Sequence, residues 1–219
     1  MDDLSKRSLG QLLQATNSAA ADQLPLAIQE GLAAAGVRNV VLYLSDYDGT
    51  VLRPLPVSAN AQKESPPQDV HSTSATRSWR EQRLVEGGPG GRCLWVPVSE
   101  RADPIGVLEL EFEDIGHESR RLAVDAGAMV GYLLVTARRY TDVYELMRRR
   151  RSMNLAAEMH WDILPATSYT GPAVEISGAL EPAYEIGGDA FDYSVNGRML
   201  DFTILDAMGH GLEAALLSA

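Results

Sequence analysis

Near the C-terminal end, the segments Glu185-Ile-Gly-Gly-Asp189-Ala-Phe-Asp192 and Leu205-Asp206-Ala-Met-Gly-His210-Gly211 set Asp189 and Asp206 seventeen residues apart. Each Asp sits at the end of an apolar run beside small residues. Its carboxylate can therefore leave a strand end where the backbone can approach a cation, and hard divalent cations prefer such oxygen ligands. The chemistry this suggests is metal-dependent hydrolysis, with a cation activating water. Charge agrees: residues 165–219 hold eight acids (Glu175, Glu181, Glu185, Asp189, Asp192, Asp201, Asp206, Glu213) against one base, Arg198, a net charge of -7 that calls for a counter-ion. The plainer reading is a set of solvated strand ends. The Gly-Gly-Asp and Asp-x-x-Gly-His-Gly contexts favour the metal.

These segments follow Leu155-Ala-Ala-Glu-Met-His-Trp-Asp-Ile-Leu-Pro165, then Val174-Glu-Ile-Ser-Gly-Ala-Leu and Pro182-Ala183, and Gly209-His210-Gly211 leads into Leu-Glu-Ala-Ala-Leu. In that order they resemble the sporulation-stage-II-E type of protein serine phosphatase, a branch of the metal-dependent phosphatase 2C superfamily. The resemblance implies that Asp189 binds one Mn²⁺ or Mg²⁺ and that Asp206 bridges two such ions, with the Ala207 carbonyl as a further ligand. Glu185 and Asp192 would support those ligands from behind. His210 reads as a turn residue at a helix start, with metal ligand and general acid as alternatives. A two-ion centre lowers the pKa of a bridging water and neutralises phosphate oxygens, so no protein nucleophile is needed. The implied substrate is a phosphoserine or phosphothreonine protein, such as an anti-sigma-factor antagonist. In the family, further metal-binding aspartates come from later strands, so residues 165–219 are expected to be the incomplete start of an αββα sandwich, inactive alone.

The chain of 219 residues, 45% apolar and 22% charged, can bury a core of one or two domains. Its start is unlike a signal peptide, and no apolar run reaches the roughly 18–20 residues that span a bilayer. With its single Cys93, the chain fits a reducing compartment, and the expected location is the cytoplasm. A net charge of -11 argues against nucleic acid as the main partner.

The remaining elements read as an α+β arrangement. Leu9, Leu12 and Leu13, then Leu26, Ile28, Leu32 and Ala35, have helical spacing, and Pro25 sits where a helix can begin. Asn39-Val-Val-Leu-Tyr-Leu-Ser45 reads as a strand, turned by Asp46-Tyr-Asp48-Gly49 into Thr50-Val-Leu-Arg-Pro-Leu55. A Ser-, Pro- and Gln-rich loop covers residues 58–73, a short helix runs from Ala75 to Arg83, and residues 86–92 form a Gly-rich loop. The strands Cys93-Leu-Trp-Val-Pro-Val98 and Ile105-Gly-Val-Leu-Glu-Leu-Glu-Phe112 follow, joined through Asp103-Pro104. This order, and the segments Val40-Val-Leu-Tyr-Leu, Leu94-Trp-Val-Pro-Val and Ile105-Gly-Val-Leu-Glu-Leu, resemble a GAF sensor domain. The resemblance implies an antiparallel sheet flanked by helices and an unknown small-molecule ligand, with Tyr43, Trp79 and Trp95 as candidate pocket residues. For Trp95, core packing is the competing role. Cys93 and His71 could hold a bilin or haem, but a lone Cys entering a strand is usually a small buried hydrophobe.

Residues 117–164 hold few helix breakers and read as one long helix or two in succession. Leu133, Tyr140 and Met147 fall seven apart, with Ala137 and Tyr144 between them, a short heptad stripe that could pair in a homodimer. The expected division is a sensor in residues 1–137, a helical linker in 138–164, and the phosphatase portion in 165–219.

Overall fold

The computed structural model describes residues 3–55, 68–69, 73–181, 183–185 and 187–218. The chain divides into two compact units. One comprises Met1–Glu100 with Pro104–Arg148, the other Arg149–Ala219 with Arg101–Asp103.

The first unit opens with α1 (Asp3–Ser18) and α2 (Leu24–Ala33), and Pro25 lies in the first turn of α2, where its missing N–H removes no helical bond. Next come β1 (Asn39–Ser45) and β2 (Val51–Leu55), joined by the Asp46–Thr50 turn. The Asp46 carboxylate builds that turn: Oδ1 accepts from the Thr50 and Val51 N–H groups at 2.7 and 3.0 Å. After β3 (Gln68–Asp69), α3 spans Ser74–Glu81, capped by Thr73 Oγ1 accepting from the Thr76 N–H. Then β4 (Val85–Gly87), β5 (Cys93–Glu100) and β6 (Asp103–Glu111) complete a six-stranded sheet in the order β3-β2-β1-β6-β5-β4, with β1 antiparallel to both β2 and β6. His71 and most of the 58–73 loop lie outside the described residues.

Strand alternation sorts side chains between the two faces. Leu42, Leu44, Leu94, Val96, Leu108 and Leu110 face the large core beneath α1, α2 and α4 (His117–Ala137). Tyr43, Leu52, Val85, Trp95 and Val107 face the other way, with Ala75 of α3 buried among them. Helix α4 lies unusually close to the sheet. A Cβ on Gly127 would come 2.6 Å from the Pro97 carbonyl oxygen, and one on Gly131 only 2.3 Å from that of Ser99. These glycines, four apart, form one bare helix face.

Two expectations are corrected in this region. Residues 117–164 form three helices, α4, α5 (Val143–Arg148) and α6 (Leu155–Ile163). The first break follows from Thr141 and Asp142, whose polar groups cap a new helix: Thr141 Oγ1 accepts from the Val143 N–H, and the Asp142 carbonyl from the Leu146 N–H. The heptad stripe is therefore interrupted. Tyr140 is 78% exposed, whereas Tyr144 is buried and donates its hydroxyl to the Ala21 carbonyl, so it is no dimer contact. The connection before β6 also differs, because Asp103 and Pro104 belong to the strand and the turn falls at Arg101, whose φ is 54°.

In the second unit α6 is capped by Asn154, whose Oδ1 accepts from the Ala157 N–H at 2.7 Å, and it ends just before Pro165. Two hairpins follow, β7 (Ser168–Thr170) with β8 (Glu175–Ser177), and β9 (Asp189–Asn196) with β10 (Met199–Asp206). The last helix, α7 (Leu212–Ser218), packs on α6. There the buried His160 sets Nε2 3.2 Å from both the Ala215 carbonyl and Ser218 Oγ.

Candidate functional sites

On the face of the first unit's sheet opposite its large core, Tyr43, Trp79 and Trp95 come together as the sequence suggests. The Tyr43 and Trp95 rings lie 5.7 Å apart, tilted at 43°, a favourable aromatic geometry. One polar residue that the sequence pattern does not single out, Glu109, joins them, and Cys93 lies beside it. Glu109 shares this face with Val107, two positions earlier on β6, and its Oε2 accepts from the Tyr43 hydroxyl at 3.1 Å. Burial, aided by Glu111, holds its carboxyl above the ordinary carboxylate range, against the opposing hydrogen bonds from Tyr43 and Cys93. Burial likewise pushes the Cys93 thiol up, so little of the nucleophilic thiolate forms.

The indole nitrogens are less well served. Trp79 Nε1 and Trp95 Nε1 are both buried, with no hydrogen-bond partner among the described residues. A buried N–H left unpaired costs about 1–3 kcal/mol, so each such group calls for an explanation. Gly87 has a cause in the same place: a Cβ there would lie 2.5 Å from Ser74 Oγ and 3.5 Å from Trp95 Nε1.

From this face the Asp46–Thr50 turn leads to α5. Gly49, with φ +63°, sits where a Cβ would come 3.2 Å from the Trp79 ring. Tyr47, two residues earlier, donates its hydroxyl to Glu145, and Arg148 stacks its guanidinium 4.6 Å from the Tyr47 ring centre. Arg148 also donates from Nε to the Ser45 carbonyl at 2.9 Å, and Glu145 pairs with Arg138 at 2.7 Å. Burial first, then Glu145, pushes the Tyr47 phenol up, so it stays protonated and a donor.

The second unit holds the acid pair. Asp189 opens β9 and Asp206 closes β10, and the two are direct cross-strand partners. Gly188 lets the strand ends close: its carbonyl accepts from the Ala207 N–H at 3.1 Å, and a Cβ on it would come 2.4 Å from the Ala207 carbonyl oxygen. Two exposed carboxylates and one carbonyl thus gather at one hairpin end. They suit part of one oxygen-ligand shell and fall short of the about six donors a Mg²⁺ takes. Among the described residues no group of three or more His, Cys, Asp or Glu side chains could hold a metal ion. Glu185 pairs with Arg151 at 3.1 Å, and strand alternation sends Asp192 to the face opposite Asp189, where Thr203 is its partner. His210 is exposed beside Gly209 and Gly211, which both take positive φ. An open groove of about 740 Å³ runs along this hairpin, lined by Leu180, Phe191, Phe202, Ile204 and the two aspartates.

No protein-family model matches the chain, and no curated protein matches it. Solved structures do. The GAF domain of an Acinetobacter phosphoenolpyruvate-protein phosphotransferase is 15% identical, covering 64% of this chain and 98% of its own, with a TM-score of 0.54. The GAF domain of the Coxiella burnetii phosphoenolpyruvate-protein phosphotransferase gives 13%, 63%, 98% and 0.53. A free methionine-R-sulfoxide reductase from Neisseria meningitidis, solved with its substrate, gives 14%, 64%, 95% and 0.51. At these identities the likeness is one of fold: mixed helices and antiparallel sheet, arranged as in GAF domains. No helix among the described residues is long and apolar enough to cross a membrane.

Proposed function

We propose that the chain is a sensory and regulatory module whose GAF-like unit receives a small molecule at the Tyr43–Trp79–Trp95 face. The observation that carries this reading is the pair of buried indole N–H groups, without a partner among the described residues, beside the Tyr43–Glu109 hydrogen bond. Sites for small molecules combine apolar walls with a few converging polar groups, and Leu52, Val85 and Val107 supply the walls here. The GAF-like fold supports the reading, and the Neisseria neighbour was solved in complex with its substrate. Native mass spectrometry of the freshly purified chain tests it. A retained non-peptide mass is expected, and a bare chain from cells grown under varied conditions contradicts it.

A second reading, favoured by the cross-strand pairing of Asp189 with Asp206, concerns the other unit. Residues 165–219 begin a metal-dependent phosphatase acting on phosphoserine or phosphothreonine proteins, an anti-sigma-factor antagonist among the candidates, in the cytoplasm. Asp189, Asp206 and the Ala207 carbonyl would hold Mn²⁺ or Mg²⁺, which when bound supplies an activated water. In this scheme residues 1–137 sense and 138–164 relay. The test is phosphate release from a phosphoserine protein, with Mn²⁺ or with EDTA, by a protein that also carries the further strands implied by the resemblance. Release lost on Asp206→Asn is expected, and release indifferent to that change contradicts it.

A further inference from the structure

We propose that the apolar groove of the second unit is a docking surface for a basic segment of another protein, one that sets aliphatic side chains between lysines or arginines. The inference is independent of the sensor and phosphatase readings. It starts from the register of the β9–β10 hairpin. Leu200 stands opposite Val195, Phe202 opposite Tyr193, Ile204 opposite Phe191, and Asp206 opposite Asp189. Strand alternation puts these side chains on one face of the ribbon, an apolar stripe that ends in two carboxylates. From Leu200 to Asp206 the stripe runs about 20 Å, at a rise of about 3.4 Å per residue, a length that suits a stretch of polypeptide. Phe202 and Ile204 leave 70% and 76% of their surface open. Residues 177–181 wall the stripe into the groove of about 740 Å³, held close by Gly178, where a Cβ would come 2.7 Å from the Phe191 ring.

Charge selects the occupant. Glu181, Asp189, Asp192 and Asp206 line the groove, and among the described residues no Lys, Arg or His does. None of the four is in an ion pair with a described residue, and the arginines at the head of this unit serve other acids, Arg149 pairing with Glu158 and Arg151 with Glu185. A second copy would bring the same charge of -7 over residues 165–219, and an anionic lipid surface would be repelled in the same way. A segment with cations beside its apolar side chains complements both the stripe and its acidic margin.

Fluorescence anisotropy of short labelled peptides with the full chain tests this, in EDTA so that no metal sits on the aspartates. Three peptides are compared: alternating valine and threonine flanked by lysines, the same with glutamate for lysine, and the same with serine for valine. The first is expected to bind about tenfold tighter than either other. Phe202→Ser should weaken it about tenfold, the loss of one apolar contact, and Asp189→Asn should flatten its salt dependence. Leu13→Ser, at an exposed apolar position of the first unit, should change nothing. No binding of the first peptide, or binding indifferent to Phe202→Ser, overturns the proposal. Equal binding of the serine peptide does so too, because charge alone then suffices. A dimer in light scattering that Phe202→Ser dissolves would make a second copy the occupant, and flotation with phosphatidylserine vesicles lost in that variant would make it a membrane; either result overturns the basic segment.

Discussion

Strand β1 of the first unit buries five of its seven residues, whereas β10 of the second buries none of its eight. The compositions are alike: Val-Val-Leu-Tyr-Leu in one, Leu-Asp-Phe-Thr-Ile-Leu in the other. What differs is the layering. In the first unit a helix layer and α3 cover the two sheet faces, so each apolar side chain meets others; in the second, a two-stranded ribbon leaves Phe202 70% exposed. Apolar sequence makes a strand, but layers make a core. Stability should therefore reside in the first unit, with the second unit's hairpin contributing little.

The largest expected effect sharpens that contrast. Leu108→Ala, at a position with no exposure, should cost about 2–5 kcal/mol, and Phe202→Ala less than about 0.5 kcal/mol. Urea unfolding followed by circular dichroism measures both, and equal costs would break the comparison. Next, Gly131→Ala forces a methyl against the Ser99 carbonyl and should cost about 1–3 kcal/mol in the same assay. A wild-type midpoint would show that α4 can lift off the sheet freely.

A smaller effect concerns α5. Tyr47→Phe removes the hydroxyl that Glu145 accepts from and should speed amide exchange over residues 143–148 by about tenfold. Exchange unchanged there would mean that Arg148 and Arg138 hold the helix unaided.

The smallest concerns Glu109. Its carboxyl is raised when folded, so the stability it contributes is complete below its unfolded pKa near 4.5 and is lost as pH rises through the folded value. Glu109→Gln cannot ionise. The melting temperature of the variant should gain on wild type between pH 4 and pH 8, and a constant difference would contradict the burial of that carboxyl.

Much of the first unit was legible. The Asp-Tyr-Asp-Gly turn chemistry fixed the β1–β2 hairpin, and period-two alternation placed Tyr43 and Trp95 on odd positions of their strands. The same alternation places Glu109 on the face of Val107. The glycines at 127 and 131 were a signal for close helix-to-sheet packing that passes unnoticed when residues are read only as helix formers. The break at Thr141-Asp142 was written in capping chemistry, hidden by the helix-compatible Arg and Tyr around it. In the second unit, spacing alone brought Asp189 and Asp206 to neighbouring strand ends, because a two-residue turn at Asn196-Gly197-Arg198-Met199 makes the register symmetric about it. Sequence spacing could not show that Glu185 would pair with Arg151, a contact set by the path of the loop.

The most direct test of the sensor account is native mass spectrometry with backbone fragmentation of the intact chain and its bound molecule. The account predicts that the retained mass stays on fragments from residues 1–148, and that Trp79→Phe lowers its occupancy. A mass carried by fragments from residues 149–219, or occupancy indifferent to Trp79→Phe, would contradict it.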